Sequence, residues 1–210
     1  RPGVNDIYAY RAHVDLAMKE FLIKSKDQDD WENILTLGLQ HEQQHQELLW
    51  TDIKYILGTQ PTYPPYSVSL PWKEDIIERG EQKFIDIEAG NYEVGFKGEG
   101  FCFDNELDRH TVWVNGYSIS DQLVTNGEYI EFIEKGGYRD FNLWLDEGWS
   151  WINENGINSP LYWEKEEGEW MNYTLKGFQK VNKKEALKHI SFFEASAFAQ
   201  WKKMRLPTEL

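Results

Sequence analysis

Four of the seven prolines fall in one short stretch, Gly58-Thr-Gln-Pro61-Thr-Tyr-Pro64-Pro65-Tyr-Ser-Val-Ser-Leu-Pro71. Ring-locked φ angles and missing amide donors exclude a helix there. The chain must therefore fold as two differently patterned parts on either side of this stretch. Before it, apolar residues repeat at three and four; after it, short alternating runs separated by turns predominate. These patterns predict an α+β chain with a helical part over 1–60, a proline-rich linker over 61–80 and a mixed part over 81–210.

In the first part, Ile7, Tyr10, Val14, Ala17, Met18 and Phe21 predict a helix over 5–24, with Asn5 or Asp6 as its cap. A polar loop from Lys24 to Asp29 follows. A second helix is expected from about Asp30 to Leu57, capped by Asp29 or Asp30 and stopped at Gly58. In the mixed part, Phe84-Ile-Asp-Ile, Gly90-Asn-Tyr-Glu-Val-Gly and His110-Thr-Val-Trp-Val read as strands. Thr125-Asn-Gly-Glu128 and Ser191-Phe-Phe-Glu194 are capping boxes, predicting helices to Lys135 and to about Lys203. Leu143 to Phe178, rich in tryptophan and glycine, is expected to be irregular structure pinned by aromatic side chains.

Charge and cysteine content narrow the function classes. The formal net charge is -14, and nucleic acids and anionic membranes recruit basic patches instead. No apolar run has the length of a membrane span. The single cysteine, Cys102, excludes an internal disulfide framework. With no basic-apolar leader, this gives a cytoplasmic expectation. Set between Phe101 and Phe103 and beside acidic residues, Cys102 reads as a small buried apolar residue. The sequence has no starting methionine and stops at Arg205-Leu-Pro-Thr-Glu-Leu210 with no closing element, so a piece of a longer protein is expected.

Chemistry concentrates in the second helix, at His41-Glu-Gln-Gln44-His45-Gln-Glu47. A helix advances about 100° per residue, so His41 and His45 point within roughly 40° of each other. They share an arc with Ile34, Leu37, Gln44, Leu48 and Asp52. Two imidazoles at this spacing form half of a metal site, and a bound divalent ion needs at least a third protein ligand. A pair of histidines satisfied by ordinary hydrogen bonds is the competing reading. The same residues match the zinc-hydrolase pattern H-E-x-x-H, in which Glu42 is the general base. Glu47 lies toward another face, where it suits a residue that orients a ligand. His13, His110 and His189 read as surface or structural residues.

The segment His41-Glu-Gln-Gln-His-Gln-Glu-Leu-Leu-Trp-Thr-Asp-Ile-Lys54 resembles the metal helix of the ergothioneine-biosynthesis sulfoxide synthases. Tyr8-Ala-Tyr-Arg-Ala-His-Val-Asp15, Gly100-Phe-Cys-Phe-Asp-Asn-Glu106, Leu123-Val-Thr-Asn-Gly-Glu-Tyr129, Pro160-Leu-Tyr-Trp163 and Arg205-Leu-Pro-Thr-Glu209 fit the same family in the same order. The last of these is shared with formylglycine-generating-enzyme-like domains. The resemblance implies a DinB-like helical bundle followed by a formylglycine-generating-enzyme, C-type-lectin-like domain, both incomplete here. It implies a non-haem Fe(II) and O2-dependent enzyme that joins the thiol of cysteine or γ-glutamylcysteine to the imidazole of trimethylhistidine. His41 and His45 match two of three iron-binding histidines, and Gln44 matches a position near the histidine-derived substrate. The third histidine and a catalytic tyrosine are expected outside residues 1–210. A selenoneine- or ovothiol-type synthase, a zinc hydrolase and a non-catalytic binding module remain the alternatives.

Overall fold

The computed structural model describes residues 1–25, 31–69 and 80–209. It divides into two compact units, Arg1–Leu49 and Trp50–Leu210.

The first unit holds α1 (Val4–Lys24) and most of α2 (Glu32–Gly58). Helix α1 begins one residue before the sequence expectation, and its cap is Gly3, not Asn5 or Asp6. Asp6 sits at the third helical position, where its carboxylate accepts the Gly3 amide at 2.9 Å. An acidic group there also complements the positive end of the helix. The expected apolar stripe is present but uncovered: Ile7 is 52% and Tyr10 67% exposed, and α1 buries no residue. The α1 end is tied down by Trp31, whose indole N–H donates to the Ser25 carbonyl at 3.0 Å and whose ring meets Phe21 edge-on. The expected caps Asp29 and Asp30 lie outside the described residues.

In the second unit α2 ends against aromatic rings. A Cβ on Gly58 would stand 2.6 Å from Tyr173 and 3.0 Å from Tyr162, so a hydrogen is the only side chain this approach admits. The proline-rich stretch that follows is docked on the sheet as far as Ser67. The Tyr66 and Ser67 amides donate to Leu175, Tyr173 donates its hydroxyl to the Pro64 carbonyl, and Tyr63 stacks on Phe178 with centroids 4.6 Å apart. Residues 70–79 of the expected linker lie outside the described residues.

Next comes an antiparallel ribbon with a break in its middle. Strand β1 (Phe84–Ile87) pairs with β4 (Tyr117–Ser120), and β2 (Gly90–Val94) pairs with β3 (His110–Val114). Three of these match the alternating runs in the sequence; β4 was not read from it. Gly116 lies at the break, where a Cβ would come within 3.4 Å of the Ile87 and Ala89 backbone.

The core forms where α3 (Asn126–Glu134), α4 (Asp146–Asn155) and α5 (Phe192–Trp201) converge. Tyr129, Phe132, Tyr138, Trp144, Ile152, Ala197 and Phe198 are its buried centre. Both capping boxes are made: Thr125 accepts from the Glu128 amide and Ser191 from the Glu194 amide, each at 3.2 Å. Helix α5 stops at Trp201, two residues short of the expected end.

The expectation of irregular structure over 143–178 is corrected. It holds α4 and a three-stranded antiparallel sheet, β5 (Trp163–Glu166), β6 (Glu169–Thr174) and β7 (Gly177–Lys180). Helix α4 tolerates its glycine because Gly148 sits on Phe193, where a Cβ would meet side-chain atoms at 2.6 Å. Packing thus overrides the low helix propensity of Gly148, Ser150 and Asn153.

Candidate metal centre

His41 and His45 project from the same side of α2 because four residues make slightly more than one turn. Their ring centroids are 4.5 Å apart and the rings meet edge to face at 88°. Gln44 lies within the same turn, and Glu47 follows half a turn on. All four side chains are exposed, and the rings of His41 and His45 and the Gln44 amide are open to an incoming ion or ligand. As donors, two exposed imidazoles fit a divalent first-row metal, for which nitrogen ligands are well suited. Among the described residues no group of three or more His, Cys, Asp or Glu side chains is arranged to hold a metal. The structure thus brings His41 and His45 together and places Gln44 beside them.

The other histidines have different settings. His13 is exposed on α1. His110 Nδ1 lies 2.8 Å from the Asp108 carbonyl, which fixes its ring at the start of β3. Cys102 is half-buried, not buried as its apolar neighbours suggest.

His189 belongs to a cluster that the sequence did not reveal. Its Nε2 lies 2.6 Å from Lys54 Nζ, and the ammonium stands 5.0 Å from the centroid of the Tyr162 ring. Tyr162 also meets the His189 ring edge-on at 5.0 Å. Burial, then the charges of Lys54 and Lys188, push His189 down to about 4. Burial, then Lys188, pushes Lys54 down to about 8. With His189 neutral, Lys54 donates and the imidazole accepts. The two residues are 135 positions apart, so no local pattern signals the contact.

A second unforeseen network lies in the core. Tyr129 and Tyr138 share a hydroxyl–hydroxyl hydrogen bond of 3.1 Å, and Tyr138 donates to the carboxylate of Glu194. Glu194 is 2% exposed and accepts the Ser191 amide at 2.7 Å with its other oxygen. Burial first, then the neighbouring Glu194 charge, raises the Tyr129 hydroxyl well above the ordinary tyrosine range. Tyr138 is raised further, by burial, then by Tyr129 and Glu194. Both phenols stay protonated, so the network positions side chains and does no acid–base work at neutral pH.

Comparison with known proteins adds relatives to this geometry. A protein from Mycolicibacterium thermoresistibile named hercynine oxygenase is 34% identical over 117 residues, which is 56% of this chain and 26% of that protein. One of the same name from Mycobacterium tuberculosis is 35% identical over 112 residues, 53% of this chain and 26% of its own length. A third, from Mycolicibacterium smegmatis, is 28% identical over 176 residues, 83% of this chain and 39% of its length. The chain therefore spans between about a quarter and two fifths of the length of these curated relatives. No helix among the described residues is long and apolar enough to cross a membrane. The model of the sulfatase-modifying factor enzyme 1-like domain matches residues 74–210, the entire ribbon, core and three-stranded sheet. On that match, which covers more than half of the sequence, the chain belongs to the sulfatase-modifying factor enzyme 1-like domain family.

Proposed function

We propose that this chain is part of an Fe(II)- and O2-dependent sulfoxide synthase acting in ergothioneine biosynthesis. The observation that carries the reading is the exposed His41–His45 pair with Gln44 in the same turn, in a chain similar to proteins named hercynine oxygenase. The α1–α2 part is read as a portion of a DinB-like bundle. The reaction joins the sulfur of cysteine or γ-glutamylcysteine to the imidazole ring of trimethylhistidine. The thiol S–H and an imidazole C–H are lost, C–S and S–O bonds form, and the second oxygen atom of O2 leaves as water.

His41 and His45 would hold the iron through one ring nitrogen each. When bound, iron supplies a redox-active centre with open coordination positions for this chemistry. Each histidine must be neutral to ligate, so acid competes with the metal at both rings. The Gln44 amide has both donor and acceptor atoms, which suits it to fixing the orientation of a zwitterionic, imidazole-bearing substrate. Glu47 completes the pattern and would orient a ligand ring by accepting its second N–H.

The test is metal analysis with oxygen-consumption measurements on the full-length protein, given trimethylhistidine and either thiol. Iron, with oxygen uptake that needs both substrates, supports the synthase and names its sulfur donor. Zinc with peptide hydrolysis that is lost in Glu42→Ala would transfer the site to the hydrolase class. Unchanged metal content in His41→Ala would remove the metal from this helix.

A further inference from the structure

Within the Trp50–Leu210 unit a cavity of about 550 Å³ opens between the end of α3, the turn after it and the β5–β6 hairpin. Its aromatic wall is Trp163 and Trp170, whose rings are 5.9 Å apart and inclined at 52°. Ile133 adds apolar surface. Two cationic side chains, Arg139 and Lys165, also line it.

Two observations show that this cavity has unspent binding capacity. The exposed Arg139 side chain makes no ion pair or hydrogen bond among the described residues. That is unexpected in a chain with 36 acidic and 22 basic residues. Lys165 has only a long contact to Glu134, 3.9 Å, and its ammonium stands 5.3 Å from the Trp170 ring centroid.

The polar groups of opposite sense are engaged in part, the second Glu164 oxygen and the Asn158 amide remaining in the lining. The Glu164 carboxylate accepts the Tyr63 hydroxyl, and the Tyr138 hydroxyl is turned to Glu194. Ser159 donates to the Trp163 carbonyl at 3.1 Å. Two cationic side chains against one carboxylate leave net positive charge in the lining, beside aromatic surface.

We propose that this cavity binds a small organic carboxylate with a flat apolar body. The carboxylate pairs with Arg139 and Lys165, and the body lies against Trp163 and Trp170. A guanidinium matches a carboxylate with two parallel donors, and indole faces favour flat apolar partners.

The probe is benzoate, titrated into 15N-labelled protein while the tryptophan indole N–H resonances are followed. The Trp170 indole resonance, identified by its absence from the spectrum of Trp170→Phe, is expected to shift saturably as the ring of the ligand settles on it. Arg139→Gln should weaken benzoate binding roughly tenfold, as expected for loss of a charge-assisted pair. Lys165→Gln should weaken it severalfold. Both side chains are exposed, so these variants should fold even where Trp170→Phe does not. Lys180→Gln, which removes a surface lysine paired with Glu169 outside the cavity lining, should leave binding unchanged.

Benzyl alcohol, with the same ring and no charge, should bind at least tenfold more weakly, and inorganic phosphate should not compete. The proposal is overturned if no indole resonance shifts saturably, if Arg139→Gln leaves binding unaltered, or if benzyl alcohol or phosphate binds as well as benzoate. The titration uses no iron and no residue of α2, so its failure leaves the metal reading intact.

Discussion

Gly137→Ala should be among the most damaging single-methyl additions to this fold. A Cβ at Gly137 would stand 2.2, 2.4 and 2.4 Å from three atoms of the Phe132 ring. Ordinary contact begins at 3.4 Å, so the ring must retreat by 3.4 − 2.2 = 1.2 Å. It has nowhere to go: Phe132 is 0% exposed and flanked by Tyr129, Tyr138, Phe198 and Trp201, with centroids 5.1 to 5.8 Å away. Overpacking a close-packed core costs about 1–3 kcal/mol, and four hemming rings put this site at the upper end, about 3 kcal/mol. In a domain of this size that lowers Tm by roughly 6–12 °C.

Gly156→Ala separates sterics from backbone strain. Gly156 has φ +64° and open space around it, so its substitution should cost only the left-handed penalty of about 1–2 kcal/mol. Urea unfolding followed by tryptophan fluorescence measures both variants. Phe132→Leu should relieve part of the Gly137→Ala defect, making the double variant more stable than the sum of its parts by about 1–2 kcal/mol. A Gly137→Ala loss below about 0.5 kcal/mol, or strict additivity with Phe132→Leu, would refute the steric argument.

Tyr138→Phe should destabilise by about 2–3 kcal/mol in the same unfolding assay, because it leaves the buried Glu194 carboxylate without its hydroxyl donor; a loss under 0.5 kcal/mol would mean that another donor replaces it. His45→Ala should abolish stoichiometric iron in the full-length protein without lowering Tm, since the side chain is exposed; elemental analysis decides. Acid should act through His189. Its folded value, about 4, lies below the ordinary 6.5, so the unfolded chain binds the extra proton between these limits and stability falls as pH drops through that window. The Tm advantage of the native protein over His189→Gln should therefore shrink from pH 7 to pH 4, and parallel Tm profiles would contradict the shift. Ser191→Ala should cost about 1 kcal/mol through loss of the α5 cap, read as a shift in the urea midpoint.

What the sequence disclosed was local. Thr125–Glu128 and Ser191–Glu194 carry their caps within four residues, and His41–His45 carries its geometry within one helical turn. Helix α4 escaped because Asp146–Asn155 pairs good anchors, Trp149 and Ile152, with poor helix formers, and only packing against distant residues such as Phe193 resolves the conflict. The β5–β7 sheet escaped because Trp163, Trp170, Tyr173 and Phe178 are set among charged residues such as Glu164, Lys165 and Glu166, which mask alternation. Gly3 could not be read as a cap because a glycine has no side chain to signal it. Contacts between distant positions, Lys54 with His189 or Tyr138 with Glu194, leave no periodic trace at all. The apolar stripe of α1 was legible as a helix, and that helix buries no residue.

The bond between Tyr138 and Glu194 spans 56 residues of chain. During synthesis at about 5–20 residues per second, α5 emerges roughly 3–11 seconds after Tyr138 does. Over that interval Tyr129, Phe132 and Tyr138 have no α5 to cover them, although the caps and turns around them can already form. The nascent chain thus passes through a stage in which these three aromatic side chains have emerged and lack their α5 partners. A ribosomal pause placed between these two points would lengthen that exposure, whereas one placed after Trp201 has left the exit tunnel would not.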